Sequence, residues 1–115
     1  MKFTRDKARR FGWKGIDGWA YLSREDFPEM SCSYIIVTGR HGRTKSLTNN
    51  RIYFVIEGRG EFIINDKSIR VSAGEAVVVP KNTPYDFRGD MKLFLVNSPA
   101  FDPEGDIKLE QGASG

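Results

Sequence analysis

Few side chains in this sequence can do conventional catalytic chemistry: it holds one histidine, one cysteine and four tyrosines. His41 lies in "TGRHGR", between Arg40 and Arg43. An imidazole is the natural general base near neutral pH, but it must stand within about 3 Å of the proton it takes. A Gly-flanked turn instead predicts a solvent-exposed loop position. Cys32 and the serines have only this histidine to serve them, so no nucleophile triad can be assembled. Cys32 itself, in an apolar-flanked segment, is expected to be a small core residue. A lone imidazole among cations is also a poor metal site, because transition metals need several converging imidazole, carboxylate or thiolate donors.

Charge is the next feature. Lys2, Arg5, Lys7, Arg9, Arg10 and Lys14 crowd the start of the chain against Asp6 alone, and Arg40, Arg43, Lys45 and Arg51 form a second basic group. Such clusters can hold phosphates, but a net charge of +3 fits a solvated arm better, and nucleic acid is not expected as a partner. The length of 115 residues suits one domain with one core. No apolar run approaches the roughly 18 residues of a membrane span, and no signal peptide is expected, since the basic opening leads into no apolar stretch. With one cysteine and no internal disulfide to form, a cytoplasmic location is expected.

The elements that must position these groups read as strands. Candidates follow in steady succession at 19–22, 33–38, 51–57, 61–64, 68–71, 76–79, 85–87 and 91–97, rich in Ile, Val, Phe and Tyr and bounded by Gly, Asn, Asp and Pro. "EGRG" at 57–60 and "NDKS" at 65–68 read as tight hairpin connections. No helix is expected, since the charged runs with helical spacing are too short to stand alone. Many short strands at even spacing predict an all-β barrel or sandwich. The expected organisation is a basic N-terminal arm over 1–18, able to pack on a dimer partner, a barrel over 19–101, and a flexible polar tail over 102–115. The closing "GASG" of that tail also reads as an added remnant.

The stretch "RIYFVIEGRGEFIINDKSIRVSAGEAVVVPKNTPYDFRG" resembles the core of a cupin, a double-stranded β-helix or jelly-roll barrel. In the second cupin motif Gly74 and Pro80 match at the right spacing. Asn82 stands for a Gly, Tyr85 for the metal-binding His, and Gly89 for an Asn. The Asn82 change is mild, because Asn tolerates a left-handed backbone. In the first motif, counting back from Gly58 puts Arg51 at the ligand Glu. The His pair falls on Lys45 and Leu47, or on Thr44 and Ser46 if the loop is one residue longer. Arg has no acceptor to give a metal, and Tyr could ligate only as phenolate. No metal and no cofactor are therefore expected.

If the replacements keep the direction of the residues they replace, Arg51, Lys45 and Tyr85 line the barrel mouth, with Tyr53, Val55 and Phe87 also inward. The first expectation is a metal-free barrel binding a small anionic or polar ligand, such as a sugar derivative or carboxylate, through Arg51, Tyr85, Lys45, Tyr53 and Phe87. The resemblance also implies an alternative: metal-independent sugar epimerases and isomerases of this family use a His base and a Tyr acid, and His41 with Tyr85 or Tyr53 is the pair available. A third reading is a non-catalytic dimeric module, its barrel plugged by Arg51 paired with Asp86 or Glu57. Family homodimers, the aromatic N-terminal segment and the sheet edges left to cover all point to a homodimer.

Overall fold

The computed structural model describes residues 1–109 of the chain. Nine strands form one rolled antiparallel sheet: β1 (Arg9–Trp13), β2 (Ile16–Leu22), β3 (Ser31–Val37), β4 (Thr44–Ser46), β5 (Asn50–Ile64), β6 (Lys67–Ser72), β7 (Ala76–Val79), β8 (Tyr85–Ser98) and β9 (Asp106–Lys108). The only helical elements among the described residues are two single 3-10 turns, Arg5–Lys7 and Pro103–Gly105.

β5 and β8 are long enough to serve both walls of the barrel. The first half of β5 pairs with β7 and with the end of β8, which in turn pairs with β3; its second half pairs with β6 and with the start of β8. The start of β8 meets β4 at Tyr85, and β4 carries β9 at its other side. Strand alternation then fills the space between the walls with Ile35, Val37, Tyr53, Val55, Phe62, Phe87, Leu93 and Leu95.

The bend between the two halves of β5 corrects one expectation. "EGRG" is not a hairpin; β5 runs through it, with a bulge between Val55 and Glu57, and stays paired to β8. Gly58 adopts φ +84, and a Cβ there would lie 2.2 Å from the Asp90 carbonyl oxygen. The glycine serves close approach at a barrel corner, not a chain reversal. "NDKS" is a hairpin as expected, with Asn65 and Asp66 at φ 53 and 67. β7 spans the run expected for it, and Asn82 takes φ 64 where the family turn has Gly.

Both ends of the chain depart from the expected division. β2 starts at Ile16 and pairs with β1 and β3, so much of the segment read as an arm belongs to this chain's own sheet. Past residue 101, Asp106–Lys108 adds β9 to β4, so the part of the tail up to residue 109 carries structure; residues 110–115, with "GASG", lie outside the described residues. Cys32 sits half-buried on the outer side of β3, not in the core, where burial raises its thiol pKa.

Candidate functional site

Three strands converge on a polar network at one end of the barrel. Arg51 enters from β5, Tyr85 and Asn97 from β8, and Asp106 from β9. The Arg51 guanidinium donates through Nε to Asn97 Oδ1 at 2.7 Å, through Nη1 to the Tyr85 hydroxyl at 2.7 Å, and through Nη2 to Asp106 Oδ1 at 2.6 Å. Burial opposes its charge, but the Asp106 carboxylate and the hydroxyl oxygens of the tyrosine pair favour it, and its pKa lies above the usual arginine value. The internal partner of Arg51 is therefore Asp106, not Asp86 or Glu57. Asp86 pairs with Arg40 at 2.6 Å and Glu57 with Lys92 at 2.9 Å.

The Tyr85 and Tyr53 hydroxyls are 2.6 Å apart. Burial pushes both phenol pKa values up, further for Tyr53, so both hold their protons throughout the physiological range. The pair owns two hydroxyl hydrogens and one lies between the oxygens. Tyr85 already accepts from Arg51, and among the described residues no acceptor takes the second hydrogen. Both tyrosines are only 1% exposed, so that hydrogen is enclosed within the barrel end.

His41 is half-buried and packed on the barrel's aromatic side chains, contrary to the exposed loop that its Gly-flanked turn predicts. Its ring stacks on Phe87 at 4.5 Å and on Tyr85 at 5.8 Å, and Trp13 meets it edge-on at 5.3 Å. The loop is pinned by specific bonds: His41 N donates to Phe87 O at 2.8 Å, Gly42 N to Asp86 Oδ1 at 2.8 Å, and Trp13 Nε1 to His41 O at 2.9 Å. The ring is 2.8 Å from the Gly42 carbonyl through Nδ1. A carbonyl only accepts, so Nδ1 carries the hydrogen and the Nε2 lone pair is free. Burial lowers the His41 pKa below 6.5, which favours the neutral imidazole.

Of the other residues expected to line the site, Phe87 and Tyr53 are buried as inward positions. Lys45 is not. The alternation of β4 buries Thr44 and Ser46 and turns Lys45 outward, so the longer-loop register holds. The positions where this fold usually carries its metal are thus Thr44, Ser46, Arg51 and Tyr85. Two hydroxyls, a cation and a protonated phenol do not fit a transition metal. Among the described residues no three His, Cys, Asp or Glu side chains converge.

Sequence reasoning missed Asp106, Asn97, Trp13 and the anchoring role of Asp86. Only Asp106 left a trace, as the acid heading an apolar residue in "GDIK"; the others depend on which strands meet.

A cupin domain profile matches residues 38–97. Streptomyces PAC13, solved with uridine in a Tyr-to-Phe variant, is 26% identical, with 96% of this chain and 90% of that one aligned at a TM-score of 0.89. Pac13 has also been solved with uridine in a His-to-Gln and a second Tyr-to-Phe variant, and is described as a nucleoside dehydratase. KdgF from Halomonas sp. is similar in fold, at 18% identity over 89% of this chain and 96% of that one, with a TM-score of 0.75. A curated relative, an uncharacterised protein of Methanocaldococcus jannaschii, is 26% identical over 70 residues, which is 57% of this chain and only 56% of that protein's length. With half of its length matched by the family profile and its rolled sheet shared with these structures, the chain belongs to the cupin domain family.

Proposed function

We propose that this chain is a metal-independent lyase that eliminates water from a nucleoside-like sugar inside the barrel. The observation that carries the reading is the placement of His41, with its ring stacked on Phe87 and Tyr85, its Nδ1 held at the Gly42 carbonyl, and the Tyr85 ring it stacks on belonging to the hydrogen-bonded Tyr53–Tyr85 pair. A neutral imidazole and a protonated phenol are the two groups a concerted proton abstraction and donation require. Likeness to a nucleoside dehydratase at 25% identity over 96% of this chain supports the substrate class. The histidine and tyrosine variants made in that protein are of the same residue types as the groups that converge here.

An unactivated alcohol does not lose water to an imidazole. The substrate must carry a carbonyl next to the C–H bond that breaks. His41 Nε2 takes that proton, the electron pair forms the C=C bond, and the hydroxyl on the next carbon leaves as water with the proton supplied from the tyrosine pair. The products are an α,β-unsaturated carbonyl and one water. Phe87 and Trp13 hold the imidazole plane, and the stacked rings exclude solvent from it.

The anionic-ligand reading is weaker, because Arg51 has a protein partner on each of its three nitrogens and Lys45 faces out. The test is direct. Uridine binding is measured by saturation-transfer NMR, and loss of water from uridine bearing a carbonyl on its ribose is followed by the absorbance of the enone. Turnover that disappears in His41→Gln supports the proposal; a chain that neither binds uridine nor turns over the carbonyl compound refutes it.

A further inference from the structure

Residues 39–42 run beside the start of β8 as an irregular edge. Gly89 N donates to Gly39 O at 3.0 Å and His41 N to Phe87 O at 2.8 Å, and Arg40 bridges to Arg88. Alternation turns His41 to the barrel side, with Tyr85 and Phe87, and Arg40 to the outer side, with Asp86. The Asp86 side chain is only 8% exposed there. Its Oδ1 accepts from Gly42 N and Phe87 N, each at 2.8 Å, and its Oδ2 from Arg40 Nε at 2.6 Å. One carboxylate thus holds both chain neighbours of His41 from behind the sheet. A buried ion pair contributes little net stability by itself. Gly42 connects this one to the imidazole: its N–H is on Asp86, and its carbonyl accepts from His41 Nδ1 at 2.8 Å. Gly42 has φ 106, a backbone conformation that a residue with a side chain adopts only under strain.

We propose that Asp86 is the positioning residue of His41: its carboxylate fixes Gly42, and the Gly42 carbonyl fixes the imidazole with its hydrogen on Nδ1, so that Nε2 is the atom left to act as base. The inference rests on the reading of His41 as the base of the elimination. The hydrogen bond made by one ring nitrogen decides which nitrogen carries the proton, and a group that orients such a ring through a second bond tunes it as well. The charge of Asp86 also acts through space. The titratable and charged groups around the imidazole are Arg51 and Tyr53 on β5, Tyr85 and Asp86 on β8, Asp106 on β9, and Arg40 beside it in the chain. Burial and Arg51 disfavour the imidazolium; Asp86 favours it, more than Asp106 does. A carboxylate behind the ring therefore restores part of the proton affinity that burial removes, which a general base needs.

The test is nitrogen-edited NMR of His41 in the full chain, beside turnover of the carbonyl-bearing uridine. Asp86→Asn keeps an oxygen for the Gly42 and Phe87 N–H groups but removes the charge. It is expected to keep the hydrogen on Nδ1, to lower the His41 pKa below that of the wild type, and to lower kcat by roughly 3- to 10-fold. Asp86→Ala removes the grip as well. Both tautomers are then expected, with a pKa that moves up toward 6.5 as water reaches the ring. Its kcat is expected to fall by about 10²-fold at little-changed KM. Opposite pKa shifts in the two variants are a result that a merely structural role does not produce. Should Asp86→Ala fail to fold, the shift in Asp86→Asn decides alone. A pKa in Asp86→Asn equal to or above that of the wild type overturns the proposal. So does an Asp86→Ala chain with the wild-type tautomer and kcat. The NMR readouts need no substrate, so they judge Asp86 even where the wild type turns nothing over, a result that counts against the reaction alone.

Discussion

Arg51 Nη2 and Asp106 Oδ1 stand 2.6 Å apart across 55 residues of chain, a buried guanidinium held by the last strand of the described fold. The Arg51 side chain is 4% exposed and that of Asp106 23%. The pair ties β9 to β5 and engages the cation internally. Asp106→Ala leaves the guanidinium buried with two neutral partners, and we expect a loss of about 2–3 kcal/mol in chemical denaturation. The low end of the buried-pair range applies because Asp106 is partly open to water. A variant as stable as the wild type would show that the pair does no such work.

His41→Gln keeps size and polarity but removes the proposed base. With the carbonyl-bearing nucleoside as substrate, kcat is expected to fall by about 10²–10⁴, while KM changes little, since the group acts on the transition state more than on binding. A rise in KM at unchanged kcat would mean that His41 only binds.

The two tyrosines separate by stability. Tyr85→Phe strands the Arg51 Nη1 hydrogen and the Tyr53 hydroxyl together, and should cost about 1–3 kcal/mol. Tyr53→Phe leaves the Arg51–Tyr85 bond in place and should cost less, while still removing a proton donor from the pair. Thermal melts of both variants beside their turnover check the order; a more damaging Tyr53→Phe would contradict the network.

The pH dependence follows from burial. Desolvation lowers the His41 pKa below 6.5, and the nearby Arg51 adds to this, while the Gly42 carbonyl, Asp86 and Asp106 oppose it. Between the folded value and 6.5 the unfolded chain therefore binds more protons than the folded one. The contribution of this group to stability is complete above about pH 6.5 and is lost as pH falls through the folded value. The rate should rise with pH along the same limb, with its midpoint below 6.5. No alkaline limb is expected before about pH 10, because burial raises both phenols. A pH–rate profile with its acidic midpoint above 6.5 would contradict the buried neutral base.

What could be read from residues alone was what local grammar encodes. The apolar run of β7 ends at a Pro, the Asn65–Asp66 pair makes its turn, and Asn82 replaces Gly because its left-handed backbone tolerates it. The inward set Arg51, Tyr53 and Val55 follows from alternation once the strand is placed. The errors fall where tertiary contact overrides local pattern. "EGRG" looks like a turn because Gly marks both chain reversal and close strand approach, and only the strand opposite tells them apart. His41 looks exposed because turn glycines flank it; what turns it inward is Asp86, an aromatic shelf and Trp13, all distant in sequence. Asp106 left only the short "GDIK" trace, because a three-residue strand is too short to show a hydrophobic period.

Because the chain holds a single histidine, one experiment addresses the central claim: titration of the His41 imidazole by nitrogen-edited NMR, which reports pKa and tautomer together. The account predicts a folded-state pKa below 6.5 and a neutral form with its hydrogen on Nδ1 and a bare Nε2. A pKa at or above 6.5, or a hydrogen found on Nε2, would contradict it.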